Sequence, residues 1–243
     1  MDNEFFKRLL SSIVLIPVGF FFILKGSFIF NFFLLVCFFI TSYEWFRMIK
    51  KSLIKVSGII FLILSFYSMY KIRNDFDRDF LHLLFVTIVC VSTDLGGYIF
   101  GKILGGPKLT KISPKKTYTG SIGSFLLAII LTNIYLNYED VEFTIEIFIF
   151  FLIISIISQL GDIFISYCKR LSKIKDTGKI IPGHGGLLDR VDGMIFAFPF
   201  SYIFFLFWTF LLMKKKIAIL GSTGSIGKTL INILKKDKKN IKI

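Results

Sequence analysis

An all-α, polytopic integral membrane protein is the fold class this sequence predicts, and three observations predict it. Apolar residues fill 54% of the 243 positions, with Phe alone at 31, above the roughly 45–50% apolar share of soluble chains. Mean hydropathy is +0.73. Apolar runs close to the roughly 20 residues needed to cross a bilayer recur along the chain, divided by short charged segments. Lipid can cover apolar faces on all sides of a helix, so such a chain needs no large packed core.

Seven spans are expected, over residues 9–25, 27–46, 54–70, 81–100, 121–137, 144–161 and 194–212. Lys25, Gly26 and Ser27 alone separate the first two, which reads as a tight helical hairpin. Lys7 and Arg8 precede the first run without a small-residue cleavage site behind it, so an uncleaved first span is expected rather than a removed signal peptide. The intervening segments differ in sign. Residues 101–118 hold five Lys and no acid, residues 162–192 hold six Lys or Arg and four Asp, and residues 139–146 hold only acids. Basic short loops mark the cytoplasmic side, so the first two belong there and the acidic turn opposite. Alternation then puts the N-terminus inside and residue 213 outside.

The formal net charge of +14 does not indicate a nucleic-acid partner. Nine Lys and one Asp in residues 214–243 carry +8 of it, and the rest lies mainly in the short loops. Cys37, Cys90 and Cys168 show no CxxC spacing, and the first two sit inside apolar runs as packed thiols.

The chemistry is expected in residues 161–192. Asp189 and Asp192 are three apart, so on a helical turn their carboxylates share one face, and Asp162 can bring a third. Oxygen ligands beside a polyphosphate suit Mg²⁺, which takes one or two carboxylates plus substrate oxygens. Lys169, Arg170, Lys175 and Arg190 can neutralise phosphate, Arg bidentately. Gly183, Gly185 and Gly186 allow close backbone approach. A passive basic anchor for anionic headgroups would explain the bases. It does not explain four aspartates and Pro182 with a Gly-His-Gly-Gly turn among them.

This segment resembles the signature of the phosphatidate cytidylyltransferase family. Ser166, Lys169, Arg170, Lys175, Asp176, Pro182, His184, Gly185, Gly186, Asp189, Arg190 and Asp192 all fall in its register. Asp94-Leu-Gly-Gly-Tyr98 with Gly101-Lys102, the loop Ile112-Ser-Pro-Lys-Lys-Thr-Tyr-Thr-Gly120, and Gly161-Asp162 are similar to three further family segments. The likeness covers residues 5–212 and is strongest over 86–193. Gly97, Tyr118, Thr119, Ile165 and Cys168 depart from the usual residues, Ile165 replacing a Glu.

The resemblance implies that CTP and phosphatidate give CDP-diacylglycerol and pyrophosphate at a cell inner membrane, with the site facing the cytoplasm and a homodimer as the partner state. It implies a metal set of Asp162, Asp189 and Asp192 holding Mg²⁺, with a second cation such as K⁺ beside it. Catalytic roles fall to Asp162, Lys169, Arg170, Lys175, Asp176, His184, Asp189, Arg190 and Asp192. Substrate binding falls to Asp94, Ser113, Lys115, Lys116, Thr117, Gly185 and Gly186. Two readings stand at several of these. Asp94 in an apolar run is a functional carboxylate or a residue at a watery span end. Lys115, Lys116 and Thr117 hold a triphosphate or simply set orientation. His184 donates to phosphate, stabilises a turn or carries a proton. Glu44, in Tyr-Glu-Trp-Phe, matches a family Glu-Trp without an assigned role, and a place beside an aromatic belt fits it equally.

Other membrane classes fit less well. A CDP-alcohol phosphatidyltransferase would continue Asp192-Gly193 differently, a transporter would repeat broken helices in two halves, and a structural or lipid-anchoring protein needs no aspartate cluster. The domains expected are N-terminal helices over 1–80, a catalytic membrane region over 81–212, and a basic tail over 213–243. In that tail Ile217-Ala-Ile-Leu220, then Gly221, Gly224 and Gly227, then Leu230 to Leu234 form one strand, turn and helix of a dinucleotide fold. The tail is similar to the start of 1-deoxy-D-xylulose-5-phosphate reductoisomerase. One βα unit cannot make a cofactor site, and Met213 reads as a second start codon.

Overall fold

The structure, a computed structural model, describes residues 17–25, 27–75, 80–110, 112–114, 116–181, 185–212, 215–216 and 241–242. The chain divides into two compact units, Met1–Tyr202 and Ile203–Ile243. Helix α1 is described over residues 17–25. It is followed by α2 (Ser27–Met48), α3 (Ser52–Asn74), α4 (Leu81–Leu104), α5 (Tyr118–Tyr138), α6 (Ile145–Leu171), the single turn α7 (Leu188–Val191) and α8 (Met194–Leu212). Six of the seven expected runs fall on helices, and of the first run, 9–25, the described residues 17–25 are helical. Among the described residues five helices, α2 to α6, are long and apolar enough to span a membrane; α8 is apolar over Met194–Phe207, and α1 is described for nine residues only. The second unit includes a parallel pair of two-residue strands, β1 (Lys215–Lys216) and β2 (Ile241–Lys242). The expected strand, glycine turn and helix of the tail lie outside the described residues.

The helices expose one apolar face and bury another against their neighbours. On α2, Phe28, Phe32, Leu35, Phe39, Tyr43 and Phe46 recur every three or four residues and are exposed, while Phe30, Leu34, Thr41, Glu44, Trp45 and Met48 are buried. Apolar surface exposed along a whole helix is what a bilayer requires and water punishes. Between helices in lipid there is little hydrophobic drive, so small residues and interhelical hydrogen bonds hold them. Such a seam joins α4, α5 and α6. Gly96 lies against the backbone of Gly123 and Ser124, where an added Cβ would come within 2.5 Å of the Gly123 carbonyl oxygen. The Thr93 and Ser155 hydroxyls are 2.8 Å apart, Ser124 donates to the Thr93 carbonyl at 2.7 Å, and Ser121 donates to Gln159 Oε1 at 2.5 Å.

Helix α6 runs ten residues past the expected end at 161, to Leu171. Asp162, Ser166 and Lys169 therefore stand on one helical face, at spacings of four and three, rather than in a loop. Between them Ile165 is buried against the bundle, while Asp162 and Lys169 line the cavity described below. Thr117 caps α5 by accepting from Gly120 N, and Thr144 caps α6 by accepting from Ile147 N. The acidic turn of residues 139–144 lies at the opposite end of α5 from the basic loop that precedes it.

Pro199 lies inside α8 and has no N–H, so the Ile195 carbonyl four residues earlier loses its helical partner. The buried Ser65 hydroxyl of α3 takes its place, donating to Ile195 O at 2.6 Å; Phe61 O lies 2.9 Å away on its own helix. Ser65→Ala should leave that carbonyl unsatisfied and lower stability by about 1–3 kcal/mol. Adding Pro199→Ala restores an N–H at 199, so the pair should be more stable than Ser65→Ala alone in detergent unfolding. An additive double-mutant cycle would reject the replacement.

Candidate active site

The polar residues expected to act together converge on a cavity of about 340 Å³. Asp94 and Gly97 reach it from α4, and Ser113, Lys116 and Thr117 from the basic loop. Gln159, Asp162 and Lys169 come from α6, and Asp176, Asp189, Arg190 and Asp192 from the segment after α6. The two basic loops thus meet at one end of the bundle. A larger cleft of about 920 Å³ opens at the other end of α4 and α5, lined by Phe20, Leu24, Leu84, Ile88 and other largely apolar residues. It has no cluster of donors or charges, so size there does not mark chemistry.

Local structure explains why these side chains arrive together. Residues 105–117 fold back on themselves: Leu109 N donates to Lys116 O at 2.7 Å, Tyr118 N to Pro107 O at 3.1 Å, and Lys116 N to Ser113 O at 3.0 Å. Gly105 and Gly106 sit at φ +62° and +108°, and Thr119 donates to the Gly105 carbonyl, closing the turn. Lys116 and the N-terminus of α5 are thereby placed at the cavity wall. Helix N-termini carry unpaired N–H groups and partial positive charge, and no acid occupies the first turn of α5 to cancel it.

Asp189 organises the segment after α6. Its Oδ1 pairs with Lys169 Nζ at 2.7 Å, and its Oδ2 accepts from Thr177 N at 2.8 Å, Thr177 Oγ1 at 3.0 Å and Gly186 N at 3.0 Å. Burial raises its pKa, yet the Lys169 ammonium and the two backbone amides prevail and hold the carboxyl below its ordinary range. The turn needs its glycine: Gly185 has φ +87°, and its position is 2.9 Å from Asp189 Oδ2 for an added Cβ. Ile181 N donates to Gly185 O at 3.0 Å across that turn.

Asp162 and Asp192 are placed differently. Asp162 Oδ2 pairs with Lys116 Nζ at 2.5 Å and Oδ1 accepts from Ser166 Oγ at 3.3 Å. Asp192 is buried and accepts from Gly193 N. Burial pushes its carboxyl well above the usual carboxylate range, and the charges of Asp162 and Asp94 push it further, against Lys169 and Lys116. Asp94 lines the same cavity from α4. Among the described residues no three His, Cys, Asp or Glu side chains form a ready-made metal cage. Of the expected set of Asp162, Asp189 and Asp192, all three line the cavity, and the Asp189 oxygens are engaged by four protein donors. Asp162 and Asp192 still suit Mg²⁺, an ion that takes few protein ligands and fills its shell with substrate and water oxygens.

Not every expected residue arrives. Arg170 is exposed and donates to Ile174 O at 3.2 Å, and Lys175 is exposed; neither lines the cavity. Gly185 and Gly186 shape the turn behind it. Lys115 and His184 lie outside the described residues. Thr117 spends one hydroxyl lone pair on capping α5. Ile165, where the resemblance implies a Glu, is buried apolar packing. Sequence reasoning gave Gln159 no place, though it falls three residues before Asp162 on the same face of α6, a spacing that could have pointed to it.

Comparison with known proteins agrees with the geometry. The family model described as the cytidylyltransferase family matches residues 58–208. This chain belongs to the cytidylyltransferase family. Among curated members, the phosphatidate cytidylyltransferase of Rickettsia bellii is 35% identical over 209 residues, 82% of this chain and 90% of that one. Those of Bacillus subtilis and Brucella suis are 37% and 36% identical over 145 and 149 residues, covering 59% and 61% of this chain. The chain spans about half the length of these last two, 54% and 55%. The matched segment holds all the described cavity residues, while α1 and α2 precede it.

The Lys169–Asp189 pair is nearly excluded from solvent, at 10% and 5% side-chain exposure. Lys169→Met leaves the Asp189 carboxylate without its cation and should cost about 3 kcal/mol. Asp189→Leu should cost more, because it orphans the Thr177 and Gly186 amides as well as the ammonium. Chemical unfolding in detergent measures both; equal losses would mean that the amide bonds contribute nothing.

Proposed function

We propose that this chain transfers the cytidylyl group of CTP to phosphatidate, giving CDP-diacylglycerol and pyrophosphate, at the cytoplasmic face of a cell inner membrane crossed seven times. The observation that carries this reading is the single cavity in which carboxylates of α4, α6 and the 176–192 segment meet the cations Lys116, Lys169 and Arg190 at the edge of an apolar bundle. The relatives named above are phosphatidate cytidylyltransferases by name, and the reaction extends theirs to this chain.

A soluble nucleotide and a lipid headgroup must meet at the bilayer surface, and the cavity sits where polar loops cap the spans. The triphosphate would lie against Lys116, the hydroxyls of Thr117 and Ser121, and the N-terminus of α5. Lys116 is paired with Asp162 in the free protein. It would exchange that carboxylate for phosphate, keeping the wall positive where charge collects. Arg190, with its planar fork, would hold a second phosphoryl group.

An oxygen of the phosphatidate phosphate attacks the α-phosphorus of CTP. As that bond forms, the bond from the α-phosphorus to the bridging oxygen breaks, and pyrophosphate leaves with the electron pair. A phosphate monoester carries about −1.5 to −2 charges at pH 7, so it attacks without a base removing a proton. The task of the protein is to align the groups and to stabilise charge on the leaving pyrophosphate. Asp162 and Asp192 are the residues that would hold Mg²⁺, which supplies Lewis-acid polarisation of phosphoryl oxygens. With Asp94 they line one cavity, a group of carboxyls whose mutual repulsion a divalent cation would relieve.

The test incubates the full chain, reconstituted in lipid nanodiscs, with CTP labelled at the α-phosphate, phosphatidate and Mg²⁺. Label should move into the organic phase as CDP-diacylglycerol, with one pyrophosphate released per lipid formed. Asp192→Asn should lower kcat by about 10²–10³-fold. A wild-type chain that leaves all label in the aqueous phase would overturn the reading.

A further inference from the structure

Glu44 has no place in the chemistry above, does not line the cavity, and precedes the matched residues 58–208. It lies in the last turns of α2 and is 1% exposed. Its carboxylate reaches three donors of the 177–188 segment: Leu187 N at 3.0 Å, Leu188 N at 2.8 Å and Thr177 Oγ1 at 3.0 Å. These donors lie at the two ends of the segment, so one side chain pins both. Leu187 and Leu188 open α7, whose first amides have no partner within the turn itself.

The contacts continue to the cavity. The Thr177 hydroxyl lies 3.0 Å from Glu44 Oε2 and 3.0 Å from Asp189 Oδ2, so it is shared by the two carboxylates. Asp189 and Arg190 lie in α7, Asp192 follows it, and all three line the cavity. Glycine permits the approach. A Cβ at Gly186 would lie 2.4 Å from Glu44 Oε2, and one at Gly178 would lie 2.6 Å from Oε1. The anchor itself is fixed: the neighbouring Trp45 donates to Lys55 O at 3.2 Å, and its ring fills the space a Cβ at Gly58 would need. Thus α2 holds the segment from behind, through a carboxylate placed where no substrate reaches it.

We propose that Glu44 is a positioning residue for the transfer reaction, tying Thr177 to the start of α7 so that Arg190 and Asp192 stand at the reacting phosphates. The proposal rests on the transferase reading of the cavity. It assigns α2, outside the matched segment, a direct part in the geometry of the site.

The test compares wild type with Glu44→Gln in nanodiscs. The amide keeps the size of the side chain but sets an NH₂ against backbone donors. Misplacement of the α7 residues should lower kcat by about 100-fold, with KM for CTP and phosphatidate within about threefold. Amide hydrogen exchange within 177–188 should speed by about tenfold or more, while α3 to α6 keep their protection. Unchanged kcat, or faster exchange spread equally over α3 to α6, would overturn the proposal, the latter by making Glu44 a general packing residue. If Glu44→Gln does not fold, Thr177→Val removes the shared hydroxyl alone and should give the same split at smaller size; unchanged kcat and exchange there would overturn it as well. The two readings fail separately. A wild type without turnover defeats the transferase reading, whereas an active wild type matched by Glu44→Gln defeats only the role of Glu44.

Discussion

Charged groups at the edge of an apolar bundle must be paired or solvated, and that requirement shapes this protein around the buried Asp189 carboxylate. One oxygen takes the Lys169 ammonium of α6, and the other collects Thr177 and Gly186. Without this knot the segment after α6 would carry its charges on a free loop. With it, Asp176, Arg190 and Asp192 are returned to the cavity that α4, α5 and α6 line. A buried pair of this kind adds little to stability against an apolar alternative, while loss of either member costs much. Its return is in geometry.

The spans set the frame at low energetic cost. In lipid the α4–α5–α6 seam is held by Gly96 against Gly123 and by hydroxyl bonds such as Thr93 to Ser155. Small residues permit close approach, and close approach leaves a narrow polar cavity rather than a wide pore. The same economy appears at α8, where Pro199 frees a carbonyl and Ser65 of α3 receives it. Polar atoms within the bundle thus serve as joints, and those at its edge serve chemistry.

The sequence makes most of the frame legible because apolar length and loop charge are local properties. The described part of each expected run falls on a helix, and the two basic loops meet at one end. The end of α6 was not legible: the charges from Asp162 to Arg170 read as a loop, whereas their spacing of four and three residues fits one helical face. Nor was the division of labour among the aspartates. Spacing places Asp189 and Asp192 together, but only the fold shows Asp189 engaged by Thr177 and Gly186 while Asp192 faces the cavity. The partners of Glu44 lie 133 to 144 residues away along the chain, and no local pattern carries such a contact.

The central claim is that side chains from the 105–121 loop and helix start and from 159–192 grip one triphosphate. Photocrosslinking tests it most directly, using a CTP analogue with an aryl azide on the γ-phosphate, the full chain in its membrane, and mapping of the labelled peptides. Label divided between these two stretches and suppressed by excess CTP is the result expected. Label confined to the lysine-rich residues 214–242, or to one stretch alone with no protection by CTP, would contradict it.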